Sequence, residues 1–210
     1  NLWGCIYKNT LTKSIDIKDL GKIDFKSVYK SMKSFIKTDN QKENIWILQH
    51  HPVFTLGTAA DPNHILDAGT IPIISTDRGG EVTYHGPGQI VIYFLLNVRE
   101  RKLGPKKLVA DLQKFIQDLL EGYDITSELQ ANSPGVYAKE KKIASIGLRI
   151  SNGYSYHGIS INVDMDLAPF SRINPCGYQG LEVTQMKDIH NKITLEDVKN
   201  TAINKLNNYF

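Results

Sequence analysis

The 210-residue chain has only two cysteines, Cys5 and Cys176. A single possible pair is no framework for a small secreted domain, so a reducing compartment is expected. No apolar run approaches the ~18 residues of a membrane-spanning helix, which excludes a helical span from the expected architecture. Charge of one sign is scarce too. The 25 Lys and Arg against 22 Asp and Glu leave a formal +3, with no long basic arm, so nucleic acid is not an expected partner. Metal-ligand spacings are missing as well. His50 and His51 are adjacent and followed by Pro52, and no C-x-x-C or H-x-x-x-H occurs, so no metal is expected. The opening "NLWGCIYKNT" shows no charged start followed by an apolar run. No signal peptide is visible, and a cytoplasmic location is expected.

What is present is ordinary for a globular protein: 41% hydrophobic and 22% charged residues. That is enough to bury a core without staples. No repeat, low-complexity stretch or linker interrupts it, so residues 1–210 read as one domain. Phe25, Val28, Tyr29, Met32, Phe35 and Ile36 fall at helical spacing. Leu108, Val109, Leu112, Phe115, Ile116, Leu119 and Leu120 make a second helical face, stopped by Gly122. "NIWILQH" (44–50) reads as a strand, and "IPIIS" (71–75) and "QIVIYFLL" (89–96) as buried strands. "SPGVYAK", "KKIASIGLRI" and "YSYHGISINVDMD" read as an antiparallel meander, with Asn152-Gly153 making a tight turn. Thr194 caps a closing helix whose first turn carries Glu196 and Asp197. The expected class is α+β: a mixed, mainly antiparallel sheet packed against helices.

"RGGEVTYHGPGQ", residues 78–89, is dense in glycine. It is not a phosphate loop, because no Lys-Ser or Lys-Thr follows the glycines. It is not a dinucleotide fingerprint either, because Gly86-Pro87-Gly88 feeds a strand and not a helix. Strand, bend, strand remains, with the backbone open to close approach. That fits a packing bend or a binding site, and Arg78, Tyr84 and His85 beside it favour binding. Arg78 also reads as an ion-pair partner of Asp77 or Glu81.

Cys5, in "LWGCIY", reads as structural. Cys176, in "RINPCGYQGLEVTQ", sits among loop residues and is the better candidate nucleophile. A free thiol is only a few per cent thiolate at neutral pH, so reactivity needs a cation nearby. His51, His85, His157 and Lys142 are the candidates; His64 and His190 read as surface residues.

Taken together and in order, "RGGEVTYHGPGQIVIY", "KKIASIGLRI", "HGISINVDMD" and "INPCGYQGLEVT" resemble the lipoyl(octanoyl) transferases, octanoyl-[acyl-carrier-protein]:protein N-octanoyltransferases. "LQHHPVFTLG" upstream resembles the same family's His-Pro segment. The resemblance covers about residues 45–190. It implies the fold of the biotin and lipoate protein ligase catalytic domain and a single catalytic domain over 1–210. It implies transfer of an octanoyl (or lipoyl) group from acyl carrier protein to a lysine, through a thioester on Cys176. The acceptors implied are lipoyl domains of 2-oxoacid dehydrogenase complexes and the glycine cleavage protein. Lys142 is implied as the catalytic partner, rather than its neighbour Lys141.

The substrate-binding positions implied are Arg78, Gly79, Gly80, Glu81, Val82, Thr83, Tyr84 and His85, then Ser145, Ile146 and Gly147, then Gly158, Ile159 and Ser160. His51 matches a family histidine of undecided role. Thr58 and Ala59 depart from the larger polar residues expected there and are assigned to the pocket rim. No cofactor is implied, since the donor thioester is already activated.

The expected pocket is formed by Gly79 and Gly80, flanked by Tyr84 and His85. "RERKLGPKK" (99–107) reads either as a docking run for an acidic carrier or as the solvated start of the second helix. Two rivals remain: an ATP-dependent lipoate or biotin ligase of the same fold, and a non-catalytic acyl-binding scaffold. The "NPCG" motif disfavours the first, and the presence of both Cys176 and Lys142 in their motif settings disfavours the second.

Overall fold

The computed structural model describes residues 15–38, 42–131, 133–175 and 180–209. Cys5 and Cys176 both lie outside the described residues. Among the described residues, ten strands form two sheets. They are β1 (Asp16–Ile23), β2 (Asn44–His50), β3 (Val53–Leu56), β4 (Ile73–Ser75), β5 (Val82–His85), β6 (Gln89–Leu95), β7 (Glu128–Gln130), β8 (Ser133–Ala138), β9 (Lys141–Ser151) and β10 (Tyr154–Asn162). The large sheet runs β1-β2-β6-β10-β9-β8-β7 and the small one β4-β3-β5. The β1–β2 and β3–β4 pairs are parallel and the other pairs antiparallel. The helices are α1 (Phe25–Phe35), α2 (Pro105–Glu121), α3 (Met186–Ile189) and α4 (Leu195–Tyr209). The result is the α+β class expected, with a mainly antiparallel sheet.

Each helix forms for a local reason. Asp24 caps α1 by accepting from the Ser27 N–H at 3.0 Å. Pro105 opens α2 and Gly122 follows its end. Thr194 accepts from the Asp197 N–H at 3.2 Å, as expected of a cap. Strand alternation then divides the large sheet's side chains between two cores. Ile45, Ile47, Ile90, Ile92 and Phe94 face α2 and α4, meeting Leu112, Phe115, Val198 and Leu206. Trp46, Leu48, Val91 and Tyr93 face the other way and meet Val28 and Met32 of α1. A third cluster, with Phe54, Val82, Tyr84 and Phe170, belongs to the small sheet.

One expectation needs correction. "IPIIS" is not a buried strand: β4 is an edge strand and Ile73 is 46% exposed. Its apolar content reflects β propensity without burial. The bend Gly86-Pro87-Gly88 lies between two strands as expected, and it carries the chain from the small sheet (β5) into the large one (β6). Gly88, at φ +87°, has room for no side chain, since a Cβ would sit 1.9 Å from the Asp164 carbonyl oxygen. The meander is as expected, with Asn152 and Gly153 both at positive φ (54° and 82°) in the β9–β10 turn. Arg101, from the basic run, is not a free surface charge, because it pairs with the buried Glu43 at 2.6 Å. Among the described residues no helix is long and apolar enough to cross a membrane.

The α2 core supplies a stability test. Phe115 is 0% exposed and meets the Tyr209 ring edge-on at 5.5 Å. Phe115→Ala is expected to lower the unfolding free energy by about 3–5 kcal/mol, read from urea denaturation. A loss below ~1 kcal/mol would contradict this packing.

Candidate active site

A cavity of about 210 Å³ opens between the large sheet's α1 face and the glycine-rich segment. The structure brings together around it Arg78, Gly80, Glu81, Val82, Thr83 and His85, then Ser145, Ile146 and Gly147, then Gly158, Ile159 and Ser160, with Lys142. Ile146 and Ile159 send their side chains into the α2/α4 core, so the alternation of the strands leaves their backbone toward the cavity. Gly79 and Tyr84 are not on its wall. Tyr84 points into the small-sheet core, 5.6 Å from the Phe54 ring and 5.5 Å from Phe170, so it does not flank the pocket as expected. Gly79 instead fastens the loop to β9, donating to the Leu148 carbonyl at 2.9 Å.

The loop is braced from behind. Arg78, 8% exposed, donates to the Thr55 carbonyl at 2.7 Å, the Thr55 hydroxyl at 2.9 Å and the Glu81 carbonyl at 2.7 Å. The carboxylates expected to pair with it are engaged elsewhere: Glu81 meets His64 at 3.1 Å, and Asp77 has a cluster of its own. Thr58 and Ala59 are not on the cavity wall. Their N–H groups donate to the Arg78 and Gly80 carbonyls, which explains why small side chains suffice there.

Asp77, expected only as an ion-pair partner of Arg78, has a different set of contacts. Its carboxylate takes Lys33 of α1 at 2.6 Å, the Tyr156 hydroxyl at 2.7 Å and His157 Nε2 at 3.1 Å. Neighbours on a regular strand point to opposite faces. Here His157 has φ +58°, and that local reversal lets both Tyr156 and His157 reach one carboxylate. Burial alone would raise the Asp77 pKa. Hydrogen bonds from His157, Lys33, Tyr156 and Tyr29 outweigh it and hold the carboxyl well below the usual range. Lys33 is correspondingly raised by its Asp77 hydrogen bond, while burial lowers His157 despite Asp77. The charged pair is therefore Lys33–Asp77, with a neutral imidazole donating to it.

Two further histidines are neutral at this end of the cavity. His50 is 0% exposed, and burial holds it down at about 4. Its Nδ1 faces the Ile23 carbonyl at 3.0 Å and its Nε2 the Tyr93 hydroxyl at 2.7 Å. A carbonyl only accepts, so Nδ1 carries the proton and the Tyr93 hydroxyl donates to Nε2. Burial likewise holds His85 at about 3. The Gln89 amide donates to the Tyr84 carbonyl and to Asn162 Oδ1. Its oxygen thus accepts from His85 Nδ1 at 2.7 Å. His85 and His157 cannot serve as cations at neutral pH. His51 is exposed in the β2–β3 turn, so the buried histidine is its neighbour. A period-two reading of β2 would have found this, since His50 shares a face with Trp46 and Leu48. His64 and His190 are half-buried, not surface residues; His190 Nδ1 is buried with no partner among the described residues.

Lys142 occupies the other end. It is 3% exposed, with its Nζ 3.2 Å from the Pro134 carbonyl and 5.7 Å from the centre of the Tyr137 ring. Gly135 makes room for it, since a Cβ there would lie 2.6 Å from Lys142 Cε. Lys141 turns outward to Glu182 at 3.3 Å. The Lys142 backbone pairs with the chain returning from residues 176–179: its N–H donates to Glu182, and its carbonyl accepts from Thr184, each at 2.9 Å. The outgoing side is tied as well, with the Asn174 N–H donating to the His64 carbonyl at 2.8 Å.

The family model for the lipoyl protein ligase A/B catalytic domain matches residues 29–207. The chain belongs to this family. An octanoyltransferase of Shewanella baltica (strain OS155) is 52% identical over 176 residues, covering 83% of this chain and 81% of that protein. One from Vibrio atlanticus (strain LGP32) is 48% identical over 192 residues, covering 90% and 88%. One from Legionella pneumophila (strain Lens) is 48% identical over 184 residues, covering 87% and 92%. Among solved structures, the fold is similar to lipoate-protein ligase A bound with ATP, at TM-score 0.73 and 13% identity, covering 93% of this chain and 84% of that one. It is also similar to biotin protein ligase from Aquifex aeolicus, at TM-score 0.57 and 15% identity, covering 92% and 68%. At such identity these neighbours establish the fold of the family and nothing further.

The neutral histidines have a measurable consequence. His50 and His85 have folded pKa values of about 4 and about 3, against about 6.5 unfolded. As pH falls through 6.5 the unfolded chain takes up protons that the native chain refuses. Their stabilisation is complete above that value and is lost toward pH 4 and then pH 3, at roughly 1.4 kcal/mol per pH unit for each histidine. Urea midpoints are expected to fall steeply from about pH 6.5 to about pH 4, and His50→Gln with His85→Gln to flatten the slope. A wild-type midpoint independent of pH over that range would contradict the burial of both.

Proposed function

We propose that the chain transfers an octanoyl group from octanoyl-acyl carrier protein to a lysine of lipoyl domains, through a thioester on Cys176 assisted by Lys142. The observation that carries this reading is the position of Lys142. It is a buried lysine on the wall of a mostly apolar cavity, and its backbone is bridged to the segment Glu182–Thr184 that follows Cys176 in the chain. Glu182, its partner, lies six residues beyond Cys176 in the chain.

With His85 and His157 neutral, Lys142 is the remaining charge on the cavity wall suited to stabilising a thiolate from the set first considered. Arg78 is committed to the loop it braces. The Cys176 thiolate attacks the donor carbonyl, the carbon–sulfur bond to pantetheine breaks, and Lys142 gives that sulfur a proton. The acceptor amine then attacks the Cys176 thioester, Lys142 takes the amine's proton, and an amide forms as the thiolate leaves. The donor is already a thioester, so no ATP enters the balance. The octanoyltransferase relatives support transfer over the ATP-dependent rival.

Lys142→Ala is expected to slow transfer by on the order of 10²-fold or more. It should also raise the pH at which the Cys176 thiol is alkylated, by as much as about two pH units. Lys142→Arg keeps the charge, so its alkylation profile should return toward wild type while transfer stays slow. An alkylation profile unchanged in Lys142→Ala removes the electrostatic role.

A further inference from the structure

We infer that Phe25, the first residue of α1, is the stop that sets the length of the acyl chain. This rests on the cavity being the acyl site. Lys142 and Gly147 lie on β9, Gly158 on β10, and Val91 and Tyr93 on β6, all on the cavity wall. Gly147 pairs with Gly158 and Gly158 with Tyr93, so one rung crosses three strands. Two strand spacings are roughly 10 Å. An extended octanoyl chain, eight carbons in zigzag with bonds of about 1.5 Å, reaches roughly 9 Å. A chain attached at the β9 end therefore places its methyl group over β6. There Phe25 closes the cavity.

That closure is rigid. Phe25 is 2% exposed, with its ring 5.1 Å from His50 and stacked 6.2 Å from His85. His50 in turn holds Tyr93 at 2.7 Å, and Lys33 ties α1 to Asp77 at 2.6 Å. The wall neither retreats for a longer chain nor follows a shorter one. The two histidines against Phe25 are neutral and the nearby Lys33 and Asp77 charges satisfy each other, so the boundary offered to the chain is steric.

The test offers the protein an equimolar mixture of hexanoyl, octanoyl, decanoyl and dodecanoyl thioesters of pantetheine, with a lipoyl domain as acceptor. The product masses give the selectivity, a ratio that loss of folded protein does not move. Each methylene newly buried is worth about fourfold, so Phe25→Ala, which vacates room for two more, should raise decanoyl over octanoyl by roughly 15-fold. Phe25→Trp should shift preference toward hexanoyl. Wild-type octanoyl selectivity persisting in both variants would overturn the assignment. Wild-type protein transferring none of the four would instead overturn the acyl-transfer reading on which it stands.

Discussion

The Asp77 carboxylate joins three parts of the molecule that share no sequence neighbourhood: α1 through Lys33, β10 through Tyr156 and His157, and the glycine-rich loop it precedes. The half-buried carboxylate is satisfied by three side chains at once, which holds those partners together. The left-handed His157 is a strained residue in mid-strand. It keeps two adjacent side chains on one anion. The loop, the helix and the strand that bound the cavity are positioned by this one group.

From that junction the cavity acquires a polarity gradient. At the α1 end, burial keeps His50 and His85 neutral, and the Asp77 charge is turned outward to Lys33. At the β9 end stands Lys142, whose side chain packs close over Gly135. An apolar chain with a reactive thioester head matches that gradient. The glycines of residues 78–89 have separate physical tasks. Gly80 lines the space, Gly79 fastens the loop to β9, and Gly86 and Gly88 carry the chain between sheets.

Much of the fold was legible because it is periodic. The apolar faces of α1 and α2, the fully buried β6 and the Asn152-Gly153 turn all announce themselves within a few residues. The division into two sheets did not, because nothing local says that β5 and β6 part company at Gly86. Burial of β4 was misjudged because Ile content reports strand preference without reporting a neighbour. In the site, motif residues were visible, but those that act through distant partners were not. Asp77 meets Lys33 44 residues away and His157 80 residues away. Phe25 and Tyr93 look like ordinary core residues until the cavity between them is seen.

The proposed covalent relay uses Cys176 and Lys142, and a single-turnover chase tests it most directly. Protein charged with octanoyl-acyl carrier protein in the absence of ATP is freed of donor and mixed with a lipoyl domain. The account predicts an octanoyl mass on the Cys176 peptide that disappears in step with octanoyl-lysine appearing on the acceptor. Octanoyl-lysine formed at the wild-type rate by Cys176→Ala, with no acyl-enzyme at any time, would contradict it.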